Sequence, residues 1–478
     1  MDRRGFLAGG LAAGAAVWPN TPSDAVDEVL PETNKLAEDL GINEIPIFCT
    51  HEHWGSINSI GQTAEGYRAD VYAGARPKRK TTLLDLLVDP YFSGCLHGAG
   101  QHVNHLIQTK LGESDLHLAA LKDPAKALKA IREALRVNQF IGTYQCIRRG
   151  ILSAYGYDIN NDDAAAIRKA DKAIAENYGR IFTWYRQLMQ KVHFSELIRP
   201  VHPEFFVRQE SADAARKELA FTHTIMRIDP LLELWKPKSP RREGLAKITD
   251  IEPFDAKSWR DFLDTIFSLA ERNGSTGIKQ LQAYHRNLHF AIHPDSEVKF
   301  QGDLNSAEVN IFKDWVVHEC CKRAHDRGWP HQVHVGTHNM PHSDPLPLQH
   351  LARRYPKQKI VMIHCWPYLE EAGFLAKYFP NLYIDTCWQP VLSPQFFRRA
   401  MLAWLQYVPT NKITTGNDAT SIEMAVGSSL FTREILAETL AELSRNAGVS
   451  AHDIRRTAVA MLHNNAVNLY RIGESIPF

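Results

Sequence analysis

Eight short apolar runs, mostly separated by stretches of helical periodicity, constrain this 478-residue chain more than any other feature. They lie at Ile45 to Thr50, His193 to Ile198, Phe221 to Ile228, Thr276 to Leu281, Gln332 to Gly336, Lys359 to His364, Asn381 to Thr386 and Lys412 to Gly416. Parallel strands cannot be joined by a tight turn, so each needs a crossover, usually a helix. Helix starts follow several runs, as at Asp344 before Leu348 to Tyr355 and at Ser393-Pro394 before Phe396 to Leu405. Eight such repeats are the number at which a parallel sheet closes, and the sequence predicts an α/β fold, a (β/α)8 TIM-like barrel. The segment between the first two runs is too long for one crossover. Within it, Asp123 to Gln139 and Asp163 to Val192 repeat apolar residues at three- and four-residue steps, which predicts helical insertions over about 55–192. The barrel then occupies 31–478, entered by a polar stretch, Asp24 to Gly41, expected at the surface.

Residues 1–30 read differently. Arg3 and Arg4 precede Gly5-Phe6-Leu7 and a Gly/Ala run reaching Val17, the pattern of a twin-arginine export signal, so a periplasmic or otherwise exported location is expected. That apolar run is well short of the roughly 20 residues a bilayer requires, and no later segment qualifies, so no stable membrane span is expected. A formal net charge of +1 gives no field to attract a polyanion, and nucleic acid is excluded as a natural partner. Seven cysteines without a Cys-x-x-Cys pair suggest packed thiols rather than a disulfide framework or a thiolate zinc site. A small-molecule substrate is the expected partner, and homo-oligomerisation is left open.

The chemistry gathers where the apolar runs end. Cys49-Thr50-His51-Glu52-His53-Trp54 sets two histidines two residues apart, which puts both rings on one face of the chain and lets them share a metal ion. His334 closes Gln332-Val333-His334, His364 closes Val361-Met362-Ile363-His364, and Asp418 follows Ile413 to Gly416. Any one of these could be a hydrogen-bonded core histidine or a capping aspartate. Five together at strand ends suggest one centre. Imidazole and carboxylate donors suit Zn2+, and an open coordination position admits a water whose pKa falls to about 7. His364 could then move a proton or polarise a carbonyl, and Asp418 could both hold the metal and receive a proton.

This pattern resembles the amidohydrolase-related family of the amidohydrolase superfamily, most closely from about Thr276 to Tyr470. The resemblance implies that His51, His53, His334 and Asp418 hold one divalent metal, with His364 and Asp418 catalytic. Gly277-Ile278-Lys279 through Ala283-Tyr284-His285-Arg286, His364-Cys365-Trp366-Pro367-Tyr368 and Ala372-Gly373-Phe374-Leu375-Ala376 are similar to the amidohydrolase half of fungal and plant proteins fused to glutamine-synthetase-like domains. The glutamine-synthetase-like half is not part of this sequence. His338, in Gly336-Thr337-His338-Asn339, stands where an acidic or glycine-rich loop is more usual, so substrate identity does not carry over. A fourth-strand lysine is carboxylated and bridges two metals in some branches, which gives Lys279 two readings: bridge to a second ion, or substrate-anion contact. Arg286 and His338 are further substrate-contact candidates, and Asp385 is expected to orient a ligand histidine.

The reaction expected is hydrolysis of a small amide, ester or lactone by metal-activated water. The same site would also serve a nonoxidative decarboxylase of a small carboxylic acid, and a degenerate barrel acting as a binding protein is the remaining alternative.

Overall fold

The computed structural model describes residues 31–54, 80–207, 216–236 and 238–477. Residues 1–30, where an export signal is expected, lie outside the described residues, as does 55–79 of the expected insertion. Eight parallel strands form one sheet in sequential order: β1 (Ile47–Cys49), β2 (Phe194–Val201), β3 (His223–Arg227), β4 (Ser275–Gln280), β5 (His331–Val335), β6 (Ile360–His364), β7 (Leu382–Asp385) and β8 (Ile413–Thr414). The ends of the sheet meet just beyond β1 and β8. Thr50 N–H donates to the Thr415 carbonyl at 3.1 Å, Asp418 N–H to the His51 carbonyl at 2.9 Å and His53 N–H to the Ala419 carbonyl at 3.1 Å. The chain is a (β/α)8 barrel, and this seam binds the segment carrying His51 and His53 to the one carrying Asp418.

The strands are buried on both faces, which is why they read as nearly continuous apolar runs. Between β1 and β2 the described chain is a series of helices from Leu83–Leu87 to Ile181–Lys191. Asp123 caps Pro124–Val137 by accepting from the Ala125 and Lys126 N–H groups. The long period from Asp163 is two helices, Ala164–Tyr178 and Ile181–Lys191. Gly179 caps the first, and the apolar period runs on because both pack against the same core. The polar lead-in also differs from expectation. Pro31–Asp39 is helical and Ala37 and Ile42 are fully buried, so small apolar residues pack a segment whose composition reads as surface.

Two glycines fix the insertion to the barrel. The Gly142–Tyr155 helix crosses Ile422–Ala447, the long helix after β8, so closely that a Cβ on Gly150 would lie 1.7 Å from the Glu423 carbonyl oxygen. A Cβ on Gly427 would lie 1.8 Å from that of Cys146. Close backbone approach of this kind admits only glycine. Beside the crossing, the buried Glu423 carboxylate accepts from Tyr155 Oη at 2.6 Å, Tyr178 Oη at 2.8 Å and Trp184 Nε1 at 3.2 Å, so three insertion side chains satisfy a carboxylate that burial alone would penalise. All seven cysteines are free thiols, all but Cys95 buried. Among the described residues no helix is long and apolar enough to cross a membrane.

Candidate metal centre and active site

Each strand delivers its last residues to the same end of the barrel, where the loops meet. There the backbone is strained. Thr337 after β5, His364 and Cys365 at the end of β6, Trp388 after β7 and Asp418 after β8 all have positive φ, between 53° and 72°. Non-glycine residues in the left-handed region cost about 1–3 kcal/mol each and persist only where surrounding contacts over-determine them. Those contacts are present: Gln389 Nε2 donates to the His364 carbonyl at 2.6 Å, and Cys365 N–H to that of Val335 at 3.2 Å. Gly336 permits the approach of the β5 and β6 loops, since a Cβ there would sit 2.0 Å from the Trp366 carbonyl oxygen.

The structure brings His51, His53 and Asp418 together, with one ligand atom of each lying within 4.8 Å of the others. His51 Nε2 is 3.3 Å from His53 Nε2, and Asp418 Oδ1 is 3.7 Å from the first and 3.1 Å from the second. The His51 tautomer follows from its neighbours. Gln332 Nε2 donates to the Thr50 carbonyl at 2.8 Å and approaches Tyr470 Oη at 2.7 Å, so Gln332 Oε1 faces His51 Nδ1 at 2.7 Å and can only accept. The proton is on Nδ1, and His51 Nε2 presents its lone pair to His53 and Asp418. A cation among these three groups satisfies a buried lone pair and a buried carboxylate at once, so the donor set fits a divalent metal. Burial by itself would raise the Asp418 carboxyl, but His53, His51 and His364 hold it well below the usual range.

His364 lies on the other side of that carboxylate, Nε2 to Oδ2 3.5 Å. Its Nδ1 donates to the Cys387 carbonyl at 3.1 Å, which leaves the Nε2 lone pair facing the site. Burial lowers its pKa to about 4, so the ring is neutral at physiological pH. His334 is beside this group rather than within the converging triad; its ring centroid is 4.4 Å from that of His364. The Thr337 hydroxyl spends its proton on the Gly336 carbonyl and accepts from His334 Nε2 at 2.9 Å. His334 Nδ1 therefore keeps its lone pair, with no hydrogen-bond partner among the described residues.

Lys279 points inward, its Nζ 3.1 Å from His51 Nε2, and burial lowers its pKa to about 8. His338 is on the exposed rim, stacked on Trp388 at 5.3 Å and against Tyr284 at 4.4 Å. Arg286 does not join the cluster. It pairs with Asp314 at 2.7 Å and donates to the His289 and Asn310 carbonyls, so its fork is committed to holding the loop before the Ser306–Arg327 helix. Asp385 touches no ligand histidine: its carboxylate accepts from the Thr50 and Thr414 hydroxyls and the Cys387 N–H, tying β1, β7 and β8 together.

Sequence reasoning missed three participants. Gln332 shares the inward face with His334 through the two-residue strand period, a signal that was available. Glu52, buried between the two histidines of the motif, accepts from Asn417 Nδ2 at 2.9 Å and the Ala419 N–H at 3.0 Å, pinning the Asp418 loop; burial raises its pKa to about 7. Tyr91, from the Pro90–Gly98 helix, donates its hydroxyl to Asp418 Oδ1 at 3.2 Å, and nothing in the sequence marks this long-range contact.

The arrangement agrees with the comparisons to known proteins. Residues 290–472 match the amidohydrolase family. This stretch is similar to the amidohydrolase family. It includes His334, His364 and Asp418, while the His-x-His segment lies before the match. The chain is also 27% identical over 156 residues to Protein fluG of Emericella nidulans, a match covering 31% of this chain and only 18% of that protein's length. Glucuronate isomerase from Caulobacter crescentus superposes with a TM-score of 0.69 at 16% identity, covering 93% of this chain and 96% of its own. Uronate isomerase from Thermotoga maritima gives 0.65 at 14%, covering 91% and 97%. A Lactobacillus casei protein described as a metal-dependent hydrolase gives 0.57 at 18%, covering 91% and 97%. At these identities the likeness is one of fold, and it extends through the helices between β1 and β2 as well as the barrel.

Proposed function

We propose that this protein is a metal-dependent hydrolase of a small amide, ester or lactone, with zinc held by His51, His53, His334 and Asp418 and with His364 as the proton-transfer residue. The observation that carries this reading is the convergence of the two histidines and Asp418 within 4.8 Å, with His364 Nε2 facing the same carboxylate. When bound, a zinc ion supplies Lewis-acid polarisation of a carbonyl and lowers the pKa of a water to about 7. The chain supplies the rest. Gln332 fixes the His51 tautomer, Tyr91 and the Glu52-pinned loop orient Asp418, and the His334 Nδ1 lone pair completes the donor set. His364 Nε2 takes a proton from the attacking water and returns it to the leaving group. Lys279 and His338 contact substrate on the open side.

A nonoxidative decarboxylase would use the same donors. The full-length likeness to two sugar-acid isomerases, insertion included, favours a further reading, isomerisation of a small sugar acid. One assay separates the three. A pooled library of amides, esters, lactones, small carboxylates and sugar acids is incubated in water enriched in oxygen-18, with mass analysis of products and headspace. Hydrolysis is expected to place solvent oxygen in the new carboxylate of a cleaved substrate. Carbon dioxide release identifies the decarboxylase, and an isomeric product of unchanged substrate mass in ordinary water identifies the isomerase; either result overturns the hydrolase reading. Binding without turnover across the library identifies a binding protein.

We also propose export by the twin-arginine route, on the strength of Arg3-Arg4 before a short, weakly apolar run. Changing both arginines to lysine is expected to retain the precursor in the cytoplasm on fractionation. An unchanged distribution rules the route out.

A further inference from the structure

The mouth of the centre is crossed by a band of rings from four different segments. Tyr284, which closes the Gln282–Tyr284 turn after β4, lies 4.7 Å from His334 between ring centroids. Trp388, ahead of the short Gln389–Leu392 helix after β7, lies 5.4 Å from His364, and Tyr91 of the insertion packs on it at 4.9 Å. His338, from the loop after β5, joins the two sides. Its ring is stacked on Trp388 at 5.3 Å with the planes 15° apart, and leans on Tyr284 at 4.4 Å and 33°. Tyr284 and Trp388 are thus set one flat ring apart, beside the two histidines that border the metal group.

The three rings are not held alike. Trp388 is 7% exposed, and its backbone N–H donates to the Asn417 carbonyl at 3.2 Å. Tyr284 is half-buried, with its N–H on the Leu281 carbonyl at 3.1 Å. His338 is exposed, and its Nδ1 meets the hydroxyl of the preceding Thr337 at 3.2 Å, a contact within its own loop. The backbone around it does not share that freedom. Thr337 N–H donates to the Trp366 carbonyl at 2.9 Å, Asn339 Nδ2 to that of Tyr284 at 3.2 Å, and the Tyr368 hydroxyl to that of Met340. With the loop pinned on both sides, the ring leaves the stack by a change of rotamer alone, and exposed rotamers exchange within nanoseconds.

We propose that His338 is a displaceable plug, and that the slot it fills between Trp388 and Tyr284 selects substrates whose reacting carbonyl is in, or directly on, a planar conjugated ring. This rests on the metal-centre reading above and narrows it: His338 meets substrate as the group that the substrate ring displaces. A flat ring takes over both aromatic contacts that the imidazole gives up, whereas a puckered saturated ring presents hydrogens above and below its mean plane and stacks on neither face.

The test uses the full chain loaded with zinc and two hydroxamates that share one metal-gripping group. Benzohydroxamate carries a flat ring, and cyclohexanecarbohydroxamate a puckered ring with the same number of carbons. By titration calorimetry the wild type is expected to prefer the first by about 5- to 50-fold, the effect of two aromatic contacts. Tyr284→Leu is expected to erase most of that preference with zinc content unchanged. His338→Ala, which frees the slot, is expected to tighten benzohydroxamate by about 3- to 10-fold and to leave the cyclohexyl compound unchanged. Equal binding of both compounds by the wild type, or a preference that survives in Tyr284→Leu, overturns the slot while the metal reading stands. Should Tyr284→Leu lose its zinc or its fold, Trp388→Leu reads the slot from its other face by the same criterion. A His338→Ala variant that binds benzohydroxamate no more tightly than the wild type makes His338 a fixed wall and overturns the plug. If neither compound binds the wild type, the metal reading fails and the slot falls with it.

Discussion

Purified with its native metal, the protein is expected to carry about one equivalent of a divalent transition ion, and His51→Asn to carry almost none. The asymmetry of His51 drives this. Its Nδ1 is committed to Gln332, so Nε2 can only offer a lone pair, at 3.3 Å from His53 Nε2 and 3.7 Å from the Asp418 carboxylate. An ion bound to the folded chain and not to the unfolded one stabilises it by about 4 kcal/mol at a free concentration a thousand times its dissociation constant. Chelation is therefore expected to lower the melting temperature as well as abolish turnover, and zinc to restore both. Lys279→Ala tells one ion from two. If Lys279 serves substrate, the variant keeps its single equivalent; a wild type with two equivalents, falling to one or none in the variant, overturns the mononuclear assignment. Elemental analysis reads all of these on the same preparations, and metal-free protein with full stability and full turnover would falsify the centre.

The barrel was legible because its strands are buried on both faces, and each of the eight apolar runs overlaps a strand. The edges were less so. β2 continues past Ile198 to Val201 through Arg199 and Pro200, because Arg199 is fully buried, paired with Glu218 and lying over Trp54 at 5.5 Å. A buried charge of this kind interrupts an apolar pattern without ending the strand. β8 stops at Thr414, short of Gly416, because beyond it the chain bonds to the segment after β1 and turns through the positive φ of Asp418. The site divides in the same way. His51, His53, His364 and Asp418 could be read because polar groups closing apolar runs are conspicuous. Arg286 read as a substrate contact, but its partner Asp314 is on the Ser306–Arg327 helix, and sequence spacing does not show which arginines are already committed. Tyr91 reaches Asp418 across 327 positions of chain, a contact set by the glycine-mediated packing of the insertion on the helix after β8.

His364→Asn is expected to keep the metal and lose most of the rate. The ring contributes one relevant atom: Nδ1 is spent on the Cys387 carbonyl, and Nε2, 3.5 Å from Asp418 Oδ2, has no hydrogen-bond partner among the described residues. A neutral imidazole so oriented accepts a proton, and the resulting cation is met by the Asp418 carboxylate on one side and the Cys387 carbonyl on the other. Removing a general acid–base group of this kind lowers rate by about 100- to 10,000-fold. Asparagine is polar and smaller, and the left-handed backbone at this position, φ 72°, is one asparagine tolerates better than most residues. The fold is therefore expected to survive, which circular dichroism and the melting curve can check. Metal content and turnover are then measured on one sample beside His334→Asn. If His364→Asn sheds its metal as readily as His334→Asn, His364 is a ligand and the division of labour between it and the His51–His53–Asp418 group is wrong. If it retains both the metal and wild-type turnover, proton transfer passes through another residue, and Tyr91, whose hydroxyl also reaches Asp418 and is not among the proposed ligands, becomes the group to replace.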